Sequence, residues 1–233
     1  MTLDKDVHAV LSNISTATIT TILFKKGLRK VWLNGARPLA PTQARIVGPA
    51  FTMRFVPARE DLATPAAWSS PRSTRAAVEE MPAGCITVVD AMGVTDAGVY
   101  GDILCARMQK RGVAGLVTDG VVRDINGVVA SGLPVWCQGT ASPPAVASMT
   151  FVNWQEPIGC GGVAVFPNDI IVADADGVVL IPAAYVEEVA TLGPDQEKLE
   201  NWILEEVNHG AELAGLYPPN EANLARYRAA SGA

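Results

Sequence analysis

The sequence predicts a mixed α/β domain, with a mixed sheet or two layered sheets flanked by helices. Three observations carry this. Between residues 85 and 139, short apolar runs alternate with helical spacings at the rhythm of parallel βαβ units. Over 161–182 the pattern changes to short strands broken by Pro-Asn-Asp and Asp-Ala-Asp-Gly turns, which favours antiparallel pairing. The composition, 49% hydrophobic and 18% charged, is that of a chain that folds around a core. One domain over 1–233 is expected, with a C-terminal helical extension from about 183. A chain of this size buries roughly 70% of its unfolded surface and needs no staples.

Each element follows from local pattern. Residues 3–25 carry helical spacing at Val7, Val10, Leu11, Ile14, Ile19, Ile22 and Leu23. Ser15 and Thr16 interrupt it and suit the cap of a second short helix, and Gly27 suits its stop. Residues 44–56 (ARIVGPAFTMRFV) read as strands, with Gly48–Pro49 forcing a turn or bulge. Residues 57–72 hold three prolines and little periodicity, a long loop of the kind that serves as lid or binding segment. A short helix over about 73–81 leads into a buried strand, CITVVD (85–90). Asp102 opens a helix over 101–111 that Gly112 ends; GLVTDG (115–120) is a strand, RDINGVVASG (123–132) a short helix and LPVWCQG (133–139) a strand. After 182, helices are expected over about 183–192 and about 194–213, separated at Pro194, and over 220–230 beyond Pro218–Pro219.

Composition also excludes functions. The net charge is −6 and no dense Lys/Arg stripe exists, so nucleic acid is a poor partner. No run of about 18 apolar residues predicts a membrane span, and the charged start, Met1 to Asp6, argues against a signal peptide. A cytoplasmic location is expected. Cys85, Cys105, Cys137 and Cys160 form no CxxC pair and sit among apolar neighbours, as buried reduced thiols do. With His8 and His209 as the only histidines, a zinc site has no ligand set and a serine triad at Ser142 or Ser148 has no base. Gly159, Gly161 and Gly162 are followed by no Lys-Ser/Thr and no helix, so they are no phosphate loop. Asp119–Gly120 and the Asp174–Asp176 stretch read as turns. General-base work therefore falls to carboxylates or to water on a metal.

The remaining candidate is Gly101–Asp102, a spacer of twenty residues, then Arg123–Asp124. If Asp102 opens a helix, the Ile103 and Leu104 amides at that terminus form an anion site. The loop 119–124 follows the next parallel strand and emerges at the same carboxyl edge, where ligands of α/β folds bind. Arg123 can fork onto a carboxylate, and Asp124 offers a hard oxygen to Mg²⁺ or Mn²⁺. That set suits a 2-oxo acid. The same spacing also fits Asp102 and Asp124 as plain helix caps and Arg123–Asp124 as a surface pair.

The stretch GDILCARMQKRGVAGLVTDGVVRD resembles the metal-dependent 4-hydroxy-4-methyl-2-oxoglutarate / 4-carboxy-4-hydroxy-2-oxoadipate aldolases and their relatives, the regulators of ribonuclease E activity. VVDAMG (88–93), GLPVW, SNISTATITTIL (12–23) and NDIIVADADGVVLIP (168–182) extend the likeness over most of 10–210. The resemblance implies an α/β/β/α sandwich of the swivelling phosphohistidine-domain type, assembled as a homotrimer or homohexamer with sites between subunits. It implies Asp124 as ligand to Mg²⁺, Mn²⁺ or another divalent metal, and Arg123 as holder of the pyruvate unit. Asp102 would orient metal-bound water, and Gly101 with the Ile103 and Leu104 amides would receive the carboxylate. It further implies a glutamate from a neighbouring subunit's C-terminal helix. Glu197, Glu200, Glu205 and Glu206 are available, with Glu205 or Glu206 preferred. That pattern usually carries an acid three places after Arg-Asp, where this chain has Gly127. The implied activity is class II pyruvate aldolase, with oxaloacetate decarboxylation as a side reaction. The competing readings are a non-catalytic regulator on the same scaffold and a hydrolase or dehydratase of sugar-derived 2-keto acids.

Overall fold

The computed structural model describes residues 3–231. The chain opens with α1 (Lys5–Leu11), capped by Asp4, which accepts from the Asp6 and Val7 amides, and α2 (Thr16–Lys25), capped as its sequence suggests by Ser15, which accepts from the Thr18 amide. Strands β1 (Arg37–Pro38) and β2 (Ile46–Pro57) follow, then α3 (Thr74–Glu80), β3 (Ile86–Asp90), α4 (Asp102–Lys110), β4 (Gly115–Thr118), α5 (Ile125–Ala130) and β5 (Val135–Cys137). Next come β6 (Met149–Trp154), β7 (Ile158–Cys160), β8 (Val163–Val165), β9 (Ile170–Asp174) and β10 (Gly177–Ile181). Helices α6 (Val186–Asn208) and α7 (Glu221–Ser231) end the chain.

The main sheet runs β1-β5-β4-β3-β2-β9-β10, with β6 also on β2. Strands β2, β3, β4 and β5 pair in parallel, as the βαβ rhythm predicts; β9 and β10 pair antiparallel, as the turns predict. The order curls until its two ends meet. Leu33 N–H donates to Val178 O of β10 at 2.9 Å, and Arg37 of β1 donates to Asp176 O at 3.1 Å. The result is a nearly closed, barrel-like sheet rather than two stacked ones.

Curling explains why the strands read as unbroken apolar runs. Alternate residues face different cores: Ile86, Val88, Val117, Trp136, Ile171, Ala173, Val178 and Leu180 point into the curl, where Ile158, Cys160, Val163 and Val165 of the β7–β8 hairpin plug it. Their neighbours point outward. Val89, Leu116, Val135 and Cys137 pack under α3, α4 and α5, while Ile170, Val172, Val179 and Ile181 pack under α1, α2 and α6.

Three expectations need correction. Gly48–Pro49 makes no turn: β2 runs straight through twelve residues and changes partner there, from β9 at Ile46–Pro49 to β3 at Ala50–Arg54. Pro49 lacks an N–H, which suits a point where one ladder gives way to another. The irregularity lies later, between Arg54 and Phe55 opposite β6. Pro194 does not split the C-terminal helix either; α6 is continuous over 23 residues. An interior proline costs about 3 kcal/mol. Contacts on both sides offset it: Val189 and Gly193 are buried against the N-terminal helices, and Glu197 accepts the Ser15 amide at 2.8 Å. Strand β6 has no counterpart in the sequence prediction.

Among the described residues, no single helix is long and apolar enough to cross a membrane. Helices α1 and α2 would have the combined length, but they meet at 103°, and their apolar faces are buried, α2 on β9 and β10 and α1 on α6 and β2.

Candidate active site

The loops after β3, β4 and β5 leave the same sheet edge and are tied into one platform. Val99 N–H donates to Val121 O and Arg123 N–H to Tyr100 O, both at 2.9 Å; Val122 N–H donates to Gly139 O at 3.1 Å. Helix α4 starts on this platform. A cavity of about 280 Å³ opens there, and Gly101, Asp102, Ile103, Leu104, Arg123 and Asp124 all line it. The two motifs that the sequence separates by twenty residues therefore share one crevice. Arg123 and Asp124 also border a second, adjoining cavity of about 490 Å³ beside Thr140–Ser142.

Asp124 precedes α5 in the left-handed region, at φ 54° and ψ 46°, and its side chain makes no capping bond. Such a conformation is uncommon outside glycine, and Asp tolerates it better than most. It turns the carboxylate back over Gly101: a Cβ at that position would lie 2.7 Å from Asp124 Oδ2. Glycine at 101 is thus required for Asp124 to point where it does. Arg123 Nε donates to Asp124 Oδ2 at 2.9 Å. The terminal nitrogens of Arg123 have no partner among the described residues, which leaves the fork open toward the cavity.

Asp102 is not the residue before the helix, as a plain cap would be; it is the first helical residue, and Gly101 occupies the cap position. Its Oδ1 accepts the Ile103 amide at 2.7 Å. One of the two expected anion-binding amides is therefore engaged by Asp102 itself, while the first backbone bond of the helix runs from Cys105 N–H to Gly101 O at 3.1 Å. The other face of Asp102 lies against α5. A Cβ on Gly127 would stand 2.5 Å from Asp102 Cβ and 2.6 Å from its Oδ2. The absence of the usual acid at 127 thus has a steric reason here.

Other groups near the site are committed elsewhere. The Tyr100 hydroxyl donates to Met53 Sδ at 2.8 Å, and burial holds its pKa well above the ordinary value. Burial, with Asp102's charge nearby, pushes the Cys105 thiol up to about 12, so it stays protonated. All four cysteines are free and buried, as expected. Asp119 is a structural clamp: its carboxylate accepts the Ala91 amide at 2.8 Å and the Gly161 amide at 3.0 Å, fastening the β7–β8 hairpin to the strand ends. Burial raises its pKa, opposed by those amides. Asp174 accepts the Asp176 amide, the turn role expected of it, and also the Thr16 amide at the start of α2.

The cavity residues outside the sequence prediction include Trp68 and Arg75. Trp68 comes from a 3-10 turn (Pro65–Ser69) inside the long loop, whose binding role was expected without a residue. Of the C-terminal acids, Glu197 holds Ser15, Glu200 accepts from Gln196, and Glu206 pairs with Arg226 of α7. Glu205 is exposed, and its carboxylate has no hydrogen-bond or ion-pair partner among the described residues.

No group of three or more His, Cys, Asp or Glu converges on a metal position among the described residues. This donor set still fits Mg²⁺ or Mn²⁺, which keep several waters and take one or two carboxylates. Asp124 supplies one, with its Oδ1 free of hydrogen bonds.

Fold and site define a mixed α/β protein with a crevice at a sheet edge, lined by the Arg123 guanidinium, the exposed Asp124 and the half-buried Asp102. Residues 12–180 match the family model described as "RraA-like: Aldolase/RraA", and the chain belongs to that family. A relative from Halalkalibacterium halodurans, "Putative 4-hydroxy-4-methyl-2-oxoglutarate aldolase", is 37% identical over 146 residues, 62% of this chain and 63% of its own. Protein DlpA of Legionella pneumophila is 30% identical over 77% of this chain and 28% of its own. The chain thus spans less than two thirds of either relative. The crystal structure of Streptomyces coelicolor RraAS2, described as an unusual member of the RNase ES inhibitor RraA family, is similar with TM-score 0.78 and 32% identity, over 87% of this chain and 97% of that one.

Proposed function

We propose that this protein is a divalent-metal-dependent aldolase that cleaves a 4-hydroxy-2-oxo acid to pyruvate and a second carbonyl compound. The observation that carries the reading is the shared crevice, in which an open guanidinium fork and its adjacent carboxylate face the first turn of α4. Arg123 binds the 2-oxo acid's carboxylate, and its Nε bond to Asp124 fixes the fork's orientation. The Leu104 amide adds a donor at the positive end of α4. Asp124 would hold Mg²⁺ or Mn²⁺, which when bound polarises the C2 keto oxygen. Asp102, the carboxylate nearest the helix start, accepts the C4 hydroxyl proton directly or through water. The C3–C4 pair then moves toward C3, C4 becomes a carbonyl, and C3 is reprotonated to give pyruvate. The same crevice admits oxaloacetate, whose decarboxylation is the expected side reaction.

The homologues named as aldolases support the lyase class. The α/β/β/α arrangement of the swivelling phosphohistidine-domain type is part of this reading. A homotrimer or homohexamer would bring Glu205 of a neighbouring copy to the site. A cytoplasmic location and small-molecule partners, without nucleic acid or membrane, complete the proposal. The likeness to an RNase inhibitor family favours a second reading, a non-catalytic regulator on the same scaffold.

A pyruvate-release assay coupled to lactate dehydrogenase, with and without EDTA, decides between them. Metal-dependent release is expected. Arg123→Ala should lower the rate about 10²–10³-fold, or ~2–4 kcal/mol of transition-state stabilisation. Absence of turnover on every 2-oxo acid tried would favour the regulator.

A further inference from the structure

A second guanidinium reaches the cavity that holds Arg123. Arg75 lies on α3 and Trp68 on the loop turn that precedes it, and both line the cavity with the Arg123–Asp124 pair. Arg75 Cζ stands 4.9 Å from the Trp68 ring centroid. Stacking on an indole face holds a guanidinium in place yet leaves its N–H edge available.

Arg107 and Arg111 of α4 and Arg59 of the long loop are neutralised by carboxylates, and Arg75 is not. Arg107 and Arg111 share Glu79, and Arg59 holds Asp61. Glu79 is the notable case, because it sits four residues after Arg75 on α3, the ordinary spacing for a helical ion pair. Both its oxygens are instead taken by Arg107, at 2.8 and 2.7 Å, with Arg111 at 3.4 Å. Glu80 accepts the Trp154 indole N–H at 2.9 Å. Arg75 therefore carries no hydrogen bond or ion pair among the described residues. The two carboxylates that line the same cavity are engaged by other donors, Asp102 by the Ile103 amide and Asp124 by Arg123 Nε.

We propose that Arg75 is a specificity-determining residue that receives a second, distal carboxylate of the 2-oxo acid whose own carboxylate Arg123 binds. The inference rests on the aldolase reading for the orientation of that acid. A single guanidinium with no lysine or amide cluster beside it suits a singly charged carboxylate better than a phosphate dianion. Trp68, drawn from the long loop, sets the angle of the guanidinium and gives that loop its part in recognition.

Equilibrium binding tests this without relying on turnover. The full chain with manganese chloride is titrated with 2-oxoglutarate, which has a distal carboxylate, and with 2-oxobutyrate, which lacks one. The wild type is expected to prefer 2-oxoglutarate by about tenfold or more. Arg75→Gln should abolish that preference and leave 2-oxobutyrate binding within about twofold, with Arg75→Lys in between. Equal weakening of both acids by Arg75→Gln, no preference in the wild type, or no binding of either acid overturns the proposal. Pyruvate release by the wild type is scored separately. Turnover without an Arg75-dependent preference sinks this inference alone; an Arg75-dependent preference without turnover sinks the aldolase reading alone.

Discussion

Replacing Gly127 with alanine should cost this protein more activity than stability. In α5 the substitution gains about 1 kcal/mol of helix propensity. Against that, the new Cβ would start 2.5 Å from Asp102 Cβ, where carbon atoms normally approach no nearer than about 3.5 Å. Closing an overlap of about 1 Å in a packed contact costs typically 1–3 kcal/mol. The net destabilisation is then ~0–2 kcal/mol, a fall in Tm of at most about 8 °C at ~2–4 °C per kcal/mol for a chain of this size. The chemistry is less forgiving. The cheapest relief is for Asp102 to move away from α5, and a misplacement of about 1 Å can lower a rate about 10²-fold. The measurements are kcat/KM for pyruvate release and Tm by calorimetry. Gly159→Ala is the control, since a Cβ there meets nothing within 4 Å. Wild-type activity in Gly127→Ala, with Tm unchanged, would refute both the tight α4–α5 contact and the role of Asp102.

Other outcomes follow from the same structure. Burial raises the pKa of Asp119 in the fold, so its protonated form is favoured there; its contribution to stability is fully present below the unfolded value, about 3.9, and is lost as pH rises through the folded value. Urea unfolding of wild type and Asp119→Asn from pH 4 upward should show the wild type losing stability relative to the variant, and a pH-independent difference contradicts the shift. Gly193→Ala places a Cβ 2.2 Å from Ile14 Cδ1 and should cost about 1–3 kcal/mol. Adding Ile14→Val removes that methyl group and should restore part of the loss, measured as a double-mutant cycle; simple additivity would place the strain elsewhere.

Much of the architecture is written in local pattern. The βαβ rhythm over 85–139, the cap at Ser15, and the Asp174–Gly177 turn depend on neighbours a few residues apart, and each formed as its sequence implies. The core of the site was legible for a related reason. Gly101–Asp102 and Arg123–Asp124 each follow a parallel strand, and parallel strands deliver their following loops to one edge.

What needed the tertiary structure was every feature set by distant contacts. Pro49 and Pro194 read as breaks because proline's local cost is the only term a sequence window contains. In the fold, ladder exchange at Pro49 and helix packing around Pro194 outweigh that cost. Trp68 and Arg75 looked like parts of a featureless loop and a short helix, since nothing in their spacing shows that Glu79 is claimed by Arg107 and Arg111. Periodicity fixes which way a residue faces along its own element. Which charges remain unpaired, and around which cavity they gather, is decided only when the elements pack.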